Sequence, residues 1–221
     1  MGKRETLTAL MKRLEADPGW VARRQALDEE RRQKVEWYRA AAQPIIRDLA
    51  TAGIKVSSVW DLVNSRNRYD AALPVLLKHL RLAYPDVVRE GMARALARPW
   101  ARDTAWDQVL DVYLHEPAKS KVAAKGELGA PSGPKEGMAI ALSGMARPGD
   151  LGTLIDLISN PENGPSRIFF VSNLSRSRSL SASEALARLA DDGDLHKEIA
   201  YRAKSKAQRE ARNARSGKPR H

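Results

Sequence analysis

A nine-residue string occurs three times in this chain and narrows what it can fold into. Residues 88–96 read VREGMARAL, residues 134–142 read PKEGMAIAL, and residues 166–174 read SRIFFVSNL. The first two share a basic residue followed by Glu-Gly-Met-Ala-x-Ala-Leu. They start 46 residues apart, and the third starts 32 residues after the second. The longer interval contains KSKVAAKGELGAPSG (119–133), which reads as an inserted loop. Each string follows another apolar, helix-period segment, beginning at Leu73, near Thr104 and near Asp150. Helix pairs recurring every 30–45 residues or so predict an α-solenoid, because one pair cannot bury both of its faces alone. Gly91, Ala95, Gly137 and Ala141 are small enough for the second helices of successive pairs to pack closely.

Strand signals are almost absent. The run Ile168-Phe169-Phe170-Val171 is the one exception, and its place in the third string makes it helical. The expected fold class is therefore all-α: an N-terminal helical extension (1–52), a short solenoid of helix pairs (53–202) and a basic C-terminal tail (203–221). In the extension, Leu7, Leu10, Met11 and Leu14 form one apolar stripe, and Asp17-Pro18-Gly19 ends that helix. A second helix runs on to about Pro44 through the apolar-free stretch DEERRQK, where Asp28 with Arg32 and Glu30 with Lys34 are i,i+4 pairs. The stripe is expected to cap the first repeat, with a second copy of the chain as the alternative. Gly53 is expected to end the helix after Pro44, and Ser57 or Ser58 to cap the next, with Asp61 three residues after Ser58 as in a capping box. A closing helix pair is expected around 183–190 and 195–202, turning through Asp191-Asp192-Gly193-Asp194.

The residues around the first string also resemble a known family. Tyr84-Pro85-Asp86-Val87-Val88-Arg89, followed by an Ala-rich helix ending in Leu96, is similar to the Pro/Asp-then-Val-Arg opening of the second helix in HEAT repeats. Lys135 and Arg167 fall at the position of Arg89 in the later strings. The resemblance covers about 70–200. It departs from the family at the insertion, at the missing Asp of the second repeat, and at Phe169-Phe170 in place of Gly-Met. It implies a curved stack with its concave face lined by second helices. It also implies a ladder in which Arg89, Lys135 and Arg167 each bond a carboxylate or carbonyl of the adjacent repeat. The residues themselves leave a second role open, a row of cations tracking phosphates.

Charge separates the body from the tail. The chain carries a net +11, and its last 25 residues hold +7 of it. Candidate phosphate contacts are Arg176 and Arg178, in the serine-rich SNLSRSRS, and Lys204, Lys206, Arg209, Arg212 and Arg215 in the tail. No aromatic follows Tyr201, so base stacking from the tail is not expected. Without an apolar stripe, the tail is expected to be mobile in the free protein.

Catalytic and metal chemistry find little support. There is no cysteine, and the four histidines stand far apart, so no metal or cofactor is expected. The segment GAPSGPK (129–135) lacks the spacing of a phosphate loop. Some helical-repeat DNA glycosylases use Trp and an acidic residue on a concave face, for which Trp60-Asp61, Trp100 and Trp106-Asp107 are the remote candidates. Those tryptophans, however, sit at buried-face spacing. No apolar run is long enough to span a bilayer, the start lacks a secretory apolar block, and the absence of cysteine fits the cytoplasm. The expected function is a non-enzymatic scaffold that binds another protein. Nucleic-acid binding through the tail and concave cations is the second expectation.

Overall fold

The structure is a computed structural model that describes residues 6–118 and 133–215, with side chains to residue 212. The expected inserted loop, and Lys218 and Arg220 of the tail, lie outside the described residues. Every regular element among the described residues is helical. The chain divides into two compact units, 1–43 and 44–221.

The first unit is built of two helices. α1 (Leu7–Glu15) starts on Thr6, whose Oγ1 accepts from Ala9 N at 3.3 Å. α2 (Pro18–Ala41) starts on Asp17, which accepts from Gly19 N at 2.8 Å, with Pro18 at the first helical position where no N–H is needed. α2 is about 36 Å long. Its charged middle is laced differently from the expected i,i+4 pairs. Asp28 faces Arg24 and Arg31, and Glu29 pairs with Arg32 at 2.6 Å. Residues three and four apart are both neighbours on a helix, so flexible side chains choose between them. Leu7, Leu27, Val35 and Trp37 are exposed, and no residue of either helix is fully buried.

The second unit holds the core. α3 (Gln43–Thr51) carries Pro44 in its first turn and ends on Gly53 at φ 81°. Ile54 N bonds Leu49 O at 2.8 Å and Gly53 N bonds Ala50 O at 3.0 Å, the paired bonds of a left-handed C-cap. α4 (Val59–Val63) begins with the expected capping box of Ser58 and Asp61. There follow α5 (Leu73–Leu80), α6 (Asp86–Ala95), α7 (Arg102–His115), α8 (Pro134–Met145), α9 (Leu151–Ser159), α10 (Ile168–Arg176), α11 (Leu180–Arg188) and α12 (His196–Arg215). Packing runs from α4 to α6, α8, α10 and α12 in succession. Beside that row, α5 packs on α6 and α7, α7 on α8, and α9 on α10 and α11. α12 is continuous across residue 203, where the sequence reading begins the tail.

The three strings occupy equivalent places in the core. Met92, Met138 and Phe170 are each wholly buried, as are Leu96 and Leu142, and Leu174 is 1% exposed. The register of the third string therefore holds, with a phenyl ring where the others have a thioether. Its helix starts later, at Ile168, because two short 3-10 turns, broken at Gly164 (φ 59°, ψ −149°), lead into it between Pro161 and Arg167. Where the strings carry glycine the helices approach closely. A Cβ on Gly91 would lie 2.7 Å from Val59 Cγ2, and one on Gly137 would lie 3.1 Å from the backbone of Glu90.

Polar side chains pin the helices at their ends. Arg98 Nη2 donates to the carbonyls of Leu62, Val63 and Ser65 at 3.1, 2.8 and 3.0 Å, closing the end of α4. Arg102 forks onto Asp150, and Arg147 forks onto Asp103, so the starts of α7 and α9 exchange two ion pairs. Between α3 and α5, Asp48 Oδ2 lies 2.8 Å from both Lys78 Nζ and His79 Nε2, and His79 Nδ1 lies 2.7 Å from the Tyr84 hydroxyl. The bond from Lys78, and then that from His79, bring the Asp48 carboxyl down to about 2.

Two expectations follow. Gly91→Ala and Gly137→Ala each lower stability by about 1–2 kcal/mol, since overpacking outweighs the gain in helix propensity. Gly152→Ala, with open space around its Cβ, does not lower it. Urea unfolding of the three variants checks this. Because the folded pKa of Asp48 is depressed, its contribution is complete above the unfolded value near 3.8 and is lost as pH falls through about 2. Asp48→Asn should flatten the acid side of the stability–pH curve in that window, measured by urea unfolding at successive pH values.

Candidate functional site

The three repeated cations are all engaged inside the fold. Arg89 forks onto Glu116 at the end of α7, with Nη1 2.8 Å from Oε1 and Nη2 2.5 Å from Oε2. Lys135 Nζ donates to Glu116 O at 2.7 Å and sits 4.8 Å from the ring centre of Tyr113. Its burial pushes the ammonium pKa down. Arg167, 4% exposed, donates to both Asp192 carboxylate oxygens and to the carbonyls of Ile158 and Gly164. Each therefore donates to a carboxylate or carbonyl of the protein itself, although Arg89 Nε is buried with no hydrogen-bond partner among the described residues. The groove of about 370 Å³ beside Arg89 is likewise balanced, with Arg81 and His115 both near Asp111.

The tryptophan–acid candidates are also built into the framework. Asp61 Oδ2 accepts from Ser57 N, Ser57 Oγ and Ser58 N at 2.9, 2.8 and 3.0 Å, and those bonds hold its pKa below the usual range. Trp60 is half-buried, with Arg94 5.9 Å from its ring centre. Trp106 is 4% exposed beneath Arg102, and Asp107 points outward on the same helix. Trp100 packs edge-on against Tyr69. Among the described residues, no group of three His, Asp or Glu side chains is placed to hold a metal ion.

Arg176 stands differently. α10 ends at Arg176 because Ser177 turns extended, at φ −66° and ψ 145°. Ser179, at φ −69° and ψ 138°, is also extended and starts α11. Ser177 Oγ accepts from Ser179 N at 3.1 Å, which fixes the short link between the helices. On this link, the end of α10 and the start of α9, a groove of about 550 Å³ opens. Its polar lining is Arg147, Asn173, Arg176, Ser177, Arg178 and Ser179, over a floor of Ala146, Pro148, Leu151 and Leu154. Among the described residues, no carboxylate lines it. Arg147 is held by Asp103, and Asn173 is bonded to Ser143 through both ends of its amide, with Nδ2 3.0 Å from Ser143 O. Arg176 is exposed and forms no ion pair among the described residues. The groove thus presents guanidinium and hydroxyl groups to an anion over an apolar bed.

A second groove of about 240 Å³ lies between α10, α11 and α12, and Ser177 lines both. Its walls are Leu174, Leu186, Ala187, Ala190, Ile199 and Ala203, with Arg202 and Lys206 also lining it. Sequence reasoning found the arginines from their serine-rich setting but missed this apolar groove. Its residues come from three helices, and Leu186, Ile199 and Ala203 share no single spacing that marks them as one wall.

On α12 the cations outnumber their partners. Arg202 pairs with Glu198 at 2.6 Å. Lys204, Lys206, Arg209 and Arg212 form no ion pair among the described residues, and the side chain of Arg215 lies outside them. No helix among the described residues is long and apolar enough to cross a membrane. Comparison with family models, with curated proteins and with solved structures returns no match.

The buried and the exposed arginines should separate in experiment. Arg167→Ala takes the guanidinium from Asp192, whose Oδ1 keeps the N–H groups of Asp194 and Leu195, and from the carbonyls of Ile158 and Gly164, and is expected to cost about 3 kcal/mol of stability. Arg176→Ala should change stability by less than about 0.5 kcal/mol. Thermal and urea unfolding of the two variants, side by side, tests the distinction.

Proposed function

We propose that the chain is a non-enzymatic binding scaffold whose helix pairs stack in the manner of HEAT repeats, and that it holds another protein. The stacking is supported by the succession α4, α6, α8, α10 and α12, and by the equivalent burial of Met92, Met138 and Phe170. Binding is carried by one observation: the two grooves that meet at Ser177, one cationic and one apolar. A scaffold needs such a surface and no reacting group. The acids beside the candidate tryptophans and histidines support that reading, since Asp61 and Asp48 are occupied in closing helix ends and joining helices. A chain without cysteine suits the reducing cytoplasm, where we place this role.

The unpaired cations of α12 favour a second reading, attachment to nucleic-acid phosphates. The two readings separate on affinity capture from native lysate with and without nuclease. A stoichiometric protein that survives nuclease and is lost on Arg176→Ala supports the scaffold. Recovery that vanishes with nuclease turns the reading to nucleic acid, and recovery of nothing removes both. If the phosphate backbone is the ligand, DNA affinity falls steeply with salt. Replacing Lys204, Arg209 and Arg212 by Gln should then lower the log–log salt slope by about 2–3, measured by fluorescence anisotropy.

A further inference from the structure

From the exposed face of α12 we infer a ligand beyond a protein held at the grooves: single-stranded nucleic acid, with Tyr201 stacking on an unpaired base and the flanking cations on its phosphates. This rests on the reading of α12 as a phosphate-contacting helix and adds to it a feature that selects unpaired strands. At 3.6 residues per turn, Lys197, Tyr201, Lys204, Gln208 and Arg212 recur on one side of α12. All five are exposed. The other side carries Ile199, Ala203 and Lys206, which line the groove against α10 and α11, so the Tyr201 face turns away from the core. A division of the chain at residue 203 sets Tyr201 apart from the basic tail. The structure joins them, because α12 runs unbroken from His196 to Arg215.

Tyr201 is 61% exposed, so its ring contributes little to packing. Arg202 stands 5.8 Å from the ring centre and is itself held by Glu198 at 2.6 Å, which steadies the ring while most of it stays open to a ligand. Glu210, the other acid of α12, is nine residues from Tyr201 and therefore on the far side of the helix. Lys197, Lys204 and Arg212 form no ion pair among the described residues. The face from Lys197 to Arg212 is about 22 Å long, room for several nucleotides. A base on Tyr201 would have its two neighbouring phosphates within about a turn of a cation, Lys197 before it and Lys204 after it. An acidic peptide would engage the cations and leave the ring idle. In a duplex the base faces are already covered by one another. An unpaired strand engages ring and cations together.

The test is anisotropy titration of the full chain with a short fluorescein-labelled oligothymidylate at several salt concentrations. Saturable binding is expected, tighter than to a duplex of the same length. Tyr201→Ala should weaken it about tenfold at every salt concentration and leave the log–log salt slope unchanged, because no charge is removed. Tyr201→Phe keeps the ring and should bind within about twofold of the unchanged chain, whereas Tyr201→Leu, apolar but without a π-face, should lose as much as the alanine variant. Lys204→Gln and Arg212→Gln should each lower the salt slope by about 0.7 instead. All three positions are exposed, so urea unfolding of these variants should match that of the unchanged chain. Full affinity in Tyr201→Ala, with the slope still falling in Lys204→Gln, would overturn the stacking site and leave attachment to phosphates standing. Equal or tighter binding of the duplex would overturn the site in the same way. Displacement of the oligonucleotide by polyglutamate of equal charge would reduce binding to general charge attraction and overturn the site too. No binding of any oligonucleotide at low salt would remove both the site and the nucleic-acid reading, and leave the protein-binding scaffold.

Discussion

The close approach of helices that carry glycine on their facing sides underlies the second unit. At Gly137 a hydrogen stands where any other residue would press a carbon to 3.1 Å from the backbone of Glu90. At Gly91 the same economy of volume admits Val59 and Trp60. With aromatics only 5% of the chain, large rings fill little of the core. Close-packed Ala, Leu and Met must supply the dispersion contacts instead, and those contacts fade within about an ångström of added separation. Once α4, α6 and α8 are set at this distance, Met92 and Met138 fall into one buried layer. The layer continues into α10 through Phe170.

Electrostatics then works at the edges of that layer. Arg98 closes α4, Arg102 and Arg147 tie the starts of α7 and α9, and Arg167 holds the turn before α12 through Asp192. These arginines differ in what they protect. Arg167 is almost wholly buried, so its loss strands polar groups, whereas Arg147 sits in water and is worth little singly. Several cations of residues 68–167 are thus committed to protein acceptors, whereas Arg176, Lys204, Lys206, Arg209 and Arg212 form no ion pair among the described residues.

This distribution also explains why two adjoining grooves carry the functional reading. The cationic one is bordered by a helix end and a serine-rich link, where side chains remain open to solvent. The apolar one lies where α12 packs beside α10, with the alanines of α12 small and exposed. A longer side chain at Ala187 or Ala203 would narrow it.

The all-helical class, the repeated strings and the end signals of several helices were legible in the sequence, whereas the register of the third string was not, since Phe169-Phe170 replaces Gly-Met there. Helical periodicity, Gly53, Ser58 and the Met/Leu positions are local signals that act within a turn or two of chain. The arginines of the cationic groove were legible as well, from the alternation of serine and arginine. The pairs Arg102–Asp150 and Arg147–Asp103 were not, nor was the wall formed by Leu174, Leu186 and Ile199. Their members lie up to 48 residues apart, and nothing in local spacing marks one as the partner of another. In the tail the sequence shows a surplus of cations, and the tertiary structure decides that they continue a helix begun at His196 rather than a separate segment. The reason is physical: α12 packs against α10, and once a first turn is held there each further residue adds a backbone bond at small entropic cost.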